Sequence, residues 1–360
     1  MGAGRGARAG ARAGAGAGAG AGGGLPGWLP AGAGEVREPA ARAMLRGLRR
    51  APVAWGAGGA PGEVSFAGPA PGAEEAAAGA APLVLLHGFD SNCLEYRRLH
   101  PLLGEAGLPA YAVDILGWGW SRGEEGGARG PREKREFLRA FWEEHLGGRP
   151  VTLVGSSLGG AMAIDCALEY PDMVQSLVLI DAQGFIDGLG PLSQLPGWVA
   201  TLGVKVLGSR PLREMANQMS YHDAETFATD DAVRVGQLHC STDNWMDDNK
   251  AWMMSGGYSL SERVAELRQP TLVCWGEQDR ILEPSTAEQF RAALTGRPGL
   301  PDAQICTIPA CGHVAHLEQP QLLTELIVDF ARGLAPSAGS QQGGVGGGTA
   351  AAAQEEPSAT

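Results

Sequence analysis

The stretch that decides the fold runs from Val151 to Tyr170, "VTLVGSSLGGAMAIDCALEY". It opens on a continuous apolar run and passes through two serines set between glycines. It then continues with helical spacing over Leu158–Glu169. Pro171 forbids further helix and pushes Tyr170 toward extended backbone. A run that is apolar without alternation marks a strand buried on both faces, as in a parallel sheet.

The same kind of run recurs at "PLVLL" (82–86), "AYAVD" (110–114), "SLVLI" (176–180), "TLVCW" (271–275) and "QICTI" (304–308). Helical spacing lies between, over Leu94–Leu103 and Glu133–Leu146. Alternating strands and helices predict an α/β fold with a mostly parallel, doubly wound sheet. Reactive groups then belong at the carboxyl ends of the strands. One connection breaks the rhythm: about ninety residues separate Ile180 from Thr271, where loops of ~2–6 are usual. They hold Trp198, Trp245, Trp252 and five Met, so 185–263 reads as a mostly helical cap inserted over that edge.

A nucleophile on a strand-to-helix elbow needs small residues two places before and two places after it, hence G-x-S-x-G. Centred on Ser157, those places hold Gly155 and Gly159. Centred on Ser156, they hold Val154 and Leu158, which should clash. Ser157 is therefore the candidate nucleophile and Ser156 its neighbour. A serine hydroxyl needs a base, and in this architecture the partners follow in the order Ser, acid, His. Asp279 follows "TLVCW" and His313 follows "QICTIP", each just past a strand end. Asp181, after "SLVLI", is an alternative acid, and His316 a pocket or supporting group. The oxyanion donors expected are the backbone N–H groups of Leu158, at the helix start, and Phe89, after the turn at Gly88. His87 is read as a structural hydrogen-bonder, and Asp90 and Ser91 as lining the pocket mouth.

The whole chain has 360 residues, 44% of them hydrophobic, and 56 glycines. Much of the Gly and Ala lies at the ends. Residues 1–80 and 336–360 carry few large apolar side chains, so both are expected to be disordered, leaving one domain over 81–335. Residues 1–50 hold eight Arg and two Glu, hence +6; the chain carries −12, so the remainder carries −18. The acidic body argues against a nucleic-acid partner. The Arg-bearing front has no long apolar run and fits an organelle transit peptide better than a secretory signal. "MGAGRG" lacks the hydroxyl residue that myristoylation needs. Six scattered cysteines without a C-x-x-C suggest a reducing compartment. No apolar run reaches the ~18 residues of a membrane span. The acidic "TDNWMDDNK" shows no metal-ligand spacing, and Asp243, Asp247 and Asp248 read as a solvated loop or helix cap. The sequence is silent on oligomeric state.

Together "HGFDSN", "YAVDILGWGWS", "LVGSSLGGAMAIDCALEYPDMVQSLVLIDAQG", "WGEQDRI" and "CGHVAHLEQP" resemble the α/β-hydrolase superfamily with a helical cap, over about Pro82–Gly333. The wording is most similar to plastid-type hydrolases of plants and green algae, which implies a chloroplast location, with the cytoplasm as the alternative. The resemblance implies Ser157, His313 and Asp279 as the triad, Phe89 and Leu158 at the oxyanion hole, and structural roles for Asp114 and Ser121. Members that act on haloalkanes or epoxides carry Asp at the nucleophile, so Ser157 argues against both activities. The family usually opens with two antiparallel strands; here "PVAW" and "EVSF" read as short strands at best. The expected activity is cleavage of an ester or related acyl bond in an apolar small molecule, with no cofactor and no metal. A ligand receptor with little turnover and a C–C hydrolase or lyase are the alternatives.

Overall fold

A computed structural model describes residues 24–56, 58–69, 80–190 and 196–333. All six apolar runs form parallel strands: β3 (Leu83–Leu86), β4 (Ala110–Val113), β5 (Val151–Ser156), β6 (Val174–Ile180), β7 (Thr271–Gly276) and β8 (Gln304–Ile308). The sheet has eight strands in the order β1-β2-β4-β3-β5-β6-β7-β8. Successive residues of β3 serve opposite faces. Val84 and Leu86 join one core, Leu83 and Leu85 the other. Burial on both sides is why these strands are apolar throughout.

The first two strands correct the expectation of disorder over residues 1–80. β1 (Leu48–Trp55) and β2 (Ala60–Ala67) pair antiparallel over eight residues each, and β2 pairs antiparallel with β4. Gly56 and Gly59, at φ +70° and +64°, turn the hairpin. Ahead of it lies α1 (Pro39–Gly47), whose Leu45 is fully buried, as is Leu48. Trp28 stands edge-on to Trp120, and the Arg50 guanidinium lies 4.1 Å from its ring. Few large side chains, rightly placed, suffice here. Residues 1–23, 70–79 and 336–360, also expected to be disordered, lie outside the described residues.

On the faces of the sheet lie α2 (Leu99–Glu105), α3 (Pro131–His145), α4 (Leu158–Glu169), α10 (Ser285–Leu294) and α12 (Pro320–Ala331). Helix α3 starts with Pro at its first turn and buries Phe137, Leu138 and Phe141. Between β6 and β7 the described residues form five helices: α5 (Gly197–Leu207), α6 (Arg210–Ser220), α7 (Ala224–Phe227), α8 (Asp230–Gln237) and α9 (Trp245–Met254). A short α11 (Ala315–Glu318) follows β8. The insertion reaches the loops at the strands' carboxyl ends. Ser220 O accepts from His313 N at 2.7 Å, and Asp90 O accepts from Arg213 Nη1 at 3.0 Å. Trp252 is buried against Trp118, whereas Trp198 is 74% exposed, so the insertion's tryptophans divide between core and surface. No helix among the described residues is long and apolar enough to cross a membrane.

Candidate active site

β5 ends at Ser156 and α4 begins at Leu158, which leaves Ser157 alone to make the turn. Its φ of +52° and ψ of −119° lie where L-residues are strained. The steric reading of the glycines holds. A Cβ on Gly155 would sit 2.3 Å from Gly159 O, and one on Gly159 2.0 Å from Leu86 O. The two serines differ accordingly: Ser156 is buried within the strand, while Ser157 is partly exposed.

Asp279 and His313 come together. His313 Nδ1 donates to Asp279 Oδ2 at 2.8 Å, with both residues buried. Asp279 Oδ1 accepts from the backbone N–H of Ile281 at 2.7 Å and of Leu282 at 3.0 Å, which fixes the carboxylate. Asp181 is not the partner of His313. Its Oδ1 accepts from Gly276 N at 2.7 Å, and full burial together with the charge of Asp279 pushes its carboxyl well above the usual range.

Gly88 brings the loop after β3 against Ser157. A Cβ there would lie 3.5 Å from Ser157 Cβ and 3.6 Å from Glu95 Oε1. Glu95 Oε2 accepts from Gly88 N at 2.9 Å, so this carboxyl supports the turn. Burial pushes it above the usual range. Phe89 is 38% exposed and stands edge-on to Trp118. The N–H of Leu158 opens α4, where the helix dipole favours negative charge. His87 is fully buried. Its Nε2 accepts from Ile115 N at 3.0 Å, which leaves Nδ1 to donate to Gly88 O at 2.8 Å, and burial lowers its pKa to about 3.

Asp90 is more than a pocket-mouth residue. It is 1% exposed and receives hydrogen bonds from Trp245 Nε1 at 2.7 Å, Asn249 Nδ2 at 3.0 Å and His239 Nε2 at 3.2 Å, besides pairing with Arg213. Burial alone would raise its pKa; His239 and Arg213 hold it below the usual carboxylate range. The loop after β3 is thus tied to α6, α9 and the 3-10 turn Leu238–Ser241 through one side chain. Glu318 makes a second tie, accepting from Gly312 N at 2.7 Å, Asp223 N at 2.7 Å and His222 N at 3.1 Å.

Asp248 corrects the expectation of a solvated residue. It is 4% exposed and meets Arg129 Nε at 2.6 Å, while Asp243 and Asp247 are exposed as expected. Beside that pair the Lys134 ammonium donates to Leu116 O at 2.6 Å and lies 3.5 Å from the Trp118 ring. Burial holds its pKa well below the usual lysine range. His316 is fully buried, 3.9 Å from Glu95 Oε2, and burial lowers its pKa to about 3. Asp114 accepts from Cys93 N at 2.6 Å and Trp120 N at 3.0 Å, and its backbone O from Ser121 Oγ at 2.7 Å; both residues brace the loop after β4.

An eight-stranded, mostly parallel sheet with a strained serine elbow and a His–Asp pair past later strand ends defines an α/β hydrolase. A model of the alpha/beta hydrolase family matches residues 83–326, and the chain belongs to that family. It is 36% identical to the alpha/beta hydrolase domain-containing protein VTE7 of Arabidopsis thaliana, over 83% of this chain and 88% of that one. It is 28% identical to a 2-hydroxy-6-oxononadienedioate/2-hydroxy-6-oxononatrienedioate hydrolase of Cupriavidus pinatubonensis, over 70% of this chain and 87% of that one. Among solved structures it resembles a thermophilic esterase from Thermogutta terrifontis, with a TM-score of 0.65 and 22% identity, over 79% of this chain and 98% of that one.

Proposed function

We propose that this protein is a serine hydrolase that cleaves an ester or related acyl bond of a small molecule through Ser157, His313 and Asp279. The observation that carries the reading is the 2.8 Å bond from His313 Nδ1 to Asp279 Oδ2, joined to the strained elbow at Ser157. With the Nδ1 proton held there, Nε2 is the basic nitrogen. It takes the proton of Ser157 Oγ as that oxygen attacks the carbonyl carbon. The carbonyl oxygen becomes an oxyanion held by the N–H groups of Leu158 and Phe89. The C–O bond to the leaving group breaks, and His313 returns its proton to the departing alcohol. Water, deprotonated by the same nitrogen, then attacks the acyl-enzyme and releases the acid and Ser157. Asp279 stabilises the imidazolium that forms in each half-reaction.

A fluorophosphonate tests this directly. Labelling should add one phosphonyl group, mapped by peptide mass spectrometry to Ser157 and not to Ser156. A second reading, hydrolysis of a C–C bond, draws support from the similarity to the 2-hydroxy-6-oxononadienedioate hydrolase; turnover of a ring-cleavage dienoate with none of simple esters would favour it. The likeness to a plant protein and the Arg-bearing front together support a plastid location. A fluorescent fusion that stays in the cytosol would overturn it.

A further inference from the structure

Between the loop after β3, helix α6 and the loop that bears His313 lies a cavity of about 180 Å³. Its walls include Ser91, Glu95, Asn217, Ser220 and Val314. Three observations bear on what it holds. Glu95 and Phe89 line it, and Glu95 Oε1 and Ser157 Cβ lie 3.6 and 3.5 Å from where a Cβ on Gly88 would sit, so the cavity borders the turn that faces Ser157. Asn217 Nδ2 is buried and has no hydrogen-bond partner, an arrangement that costs free energy unless a ligand supplies the acceptor. Val314 adjoins His313, and Ser220 O binds His313 N at 2.7 Å, so the cavity lies on the histidine side of the site.

The side matters chemically. In ester cleavage His313 must hand its proton to the departing alcohol oxygen, so that alcohol belongs beside His313. We propose that this cavity binds the alcohol portion of the ester, and that the alcohol bears free hydroxyl groups, as glycerol does. One hydroxyl donates to the Glu95 carboxyl and another accepts from Asn217 Nδ2. This assignment rests on the ester-hydrolase reading above.

The test uses two esters with the same acyl group, glyceryl monobutyrate and propyl butyrate. They share the three-carbon alcohol and differ in two hydroxyls. Because the quantity read is a ratio of kcat/KM values on one preparation, partial misfolding of a variant cancels. The intact protein should prefer the glyceryl ester by at least ~10-fold, since a site built around hydroxyls rejects the analogue that lacks them. Asn217→Leu and Glu95→Gln should each bring the ratio to within about threefold of unity. A ratio near one in the parent, or a high ratio that neither variant moves, overturns the proposal. So does cleavage of p-nitrophenyl butyrate without turnover of either alkyl ester, which leaves the hydrolase reading standing. Failure on all three esters, with no fluorophosphonate adduct, removes the hydrolase reading itself.

Discussion

Trp245 donates its indole N–H to Asp90 at 2.7 Å, joining a helix of the insertion to the loop that carries Phe89. Because Arg213, His239 and Asn249 converge on the same buried carboxylate, Asp90→Ala should leave the Arg213 charge without its partner and the Trp245 and His239 donors without this acceptor. Removing one partner of such a buried pair typically costs ~3–5 kcal/mol. Urea denaturation should show a loss of that order. A loss below about 1 kcal/mol would mean the insertion is held elsewhere.

The elbow makes a contrast between glycines. Gly159→Ala would drive a Cβ against backbone oxygen of Leu86, which cannot move aside, so the variant should be insoluble or destabilised by more than ~3 kcal/mol. Gly236, in α8, has open space around the same position. Gly236→Ala should stabilise by up to ~1 kcal/mol, as helix propensity dictates. Equal melting shifts for the two variants would contradict the packing described.

Asp279 and Asp181 should separate by rate. Asp279→Asn takes away the acceptor that fixes the His313 tautomer, and kcat on p-nitrophenyl butyrate should fall by ~10⁴-fold. Asp181 is already pushed toward its neutral form, so Asp181→Asn resembles what is there and should keep kcat within ~10-fold. The reverse order would transfer the role to Asp181.

His316 gives a pH signature. Its pKa is about 3 in the fold and about 6.5 in an unfolded chain. Between those values the unfolded chain binds a proton that the folded chain does not, so this residue makes stability fall as pH falls from 6.5 toward 3. The contribution is up to ~1.4 kcal/mol per pH unit. His316→Gln removes it, and chemical denaturation from pH 6.5 to 5 should show a correspondingly flatter slope than the parent. Identical slopes would place a protonated imidazole in the fold.

Much of this was legible in the sequence because it is local. Gly155 and Gly159 select Ser157 over Ser156 by their spacing in a five-residue motif, and β3 to β8 announce themselves as continuous apolar runs. Of the β1–β2 hairpin only "PVAW" and "EVSF" were legible as short strands, because its few large residues are diluted among Ala, Gly and Pro, and its eight-residue pairing was not. Asp248 looked solvated because Arg129 and Lys134, which bury it, lie far away in the chain. Glu95 gave no signal at all: a lone acid in a helical pattern reads as surface until the turn at Gly88 is folded over it. Asp90 was noticed as a neighbour of Phe89, but its four partners come from the insertion, whose docking no local pattern encodes.

The central claim is that Ser157 is the nucleophile. Hydrolysis of p-nitrophenyl butyrate by the parent and by Ser157→Ala, each verified as folded by melting, tests it most directly. The account predicts a fall in kcat of at least ~10³-fold with little change in melting temperature. Equal rates for the two proteins would contradict it.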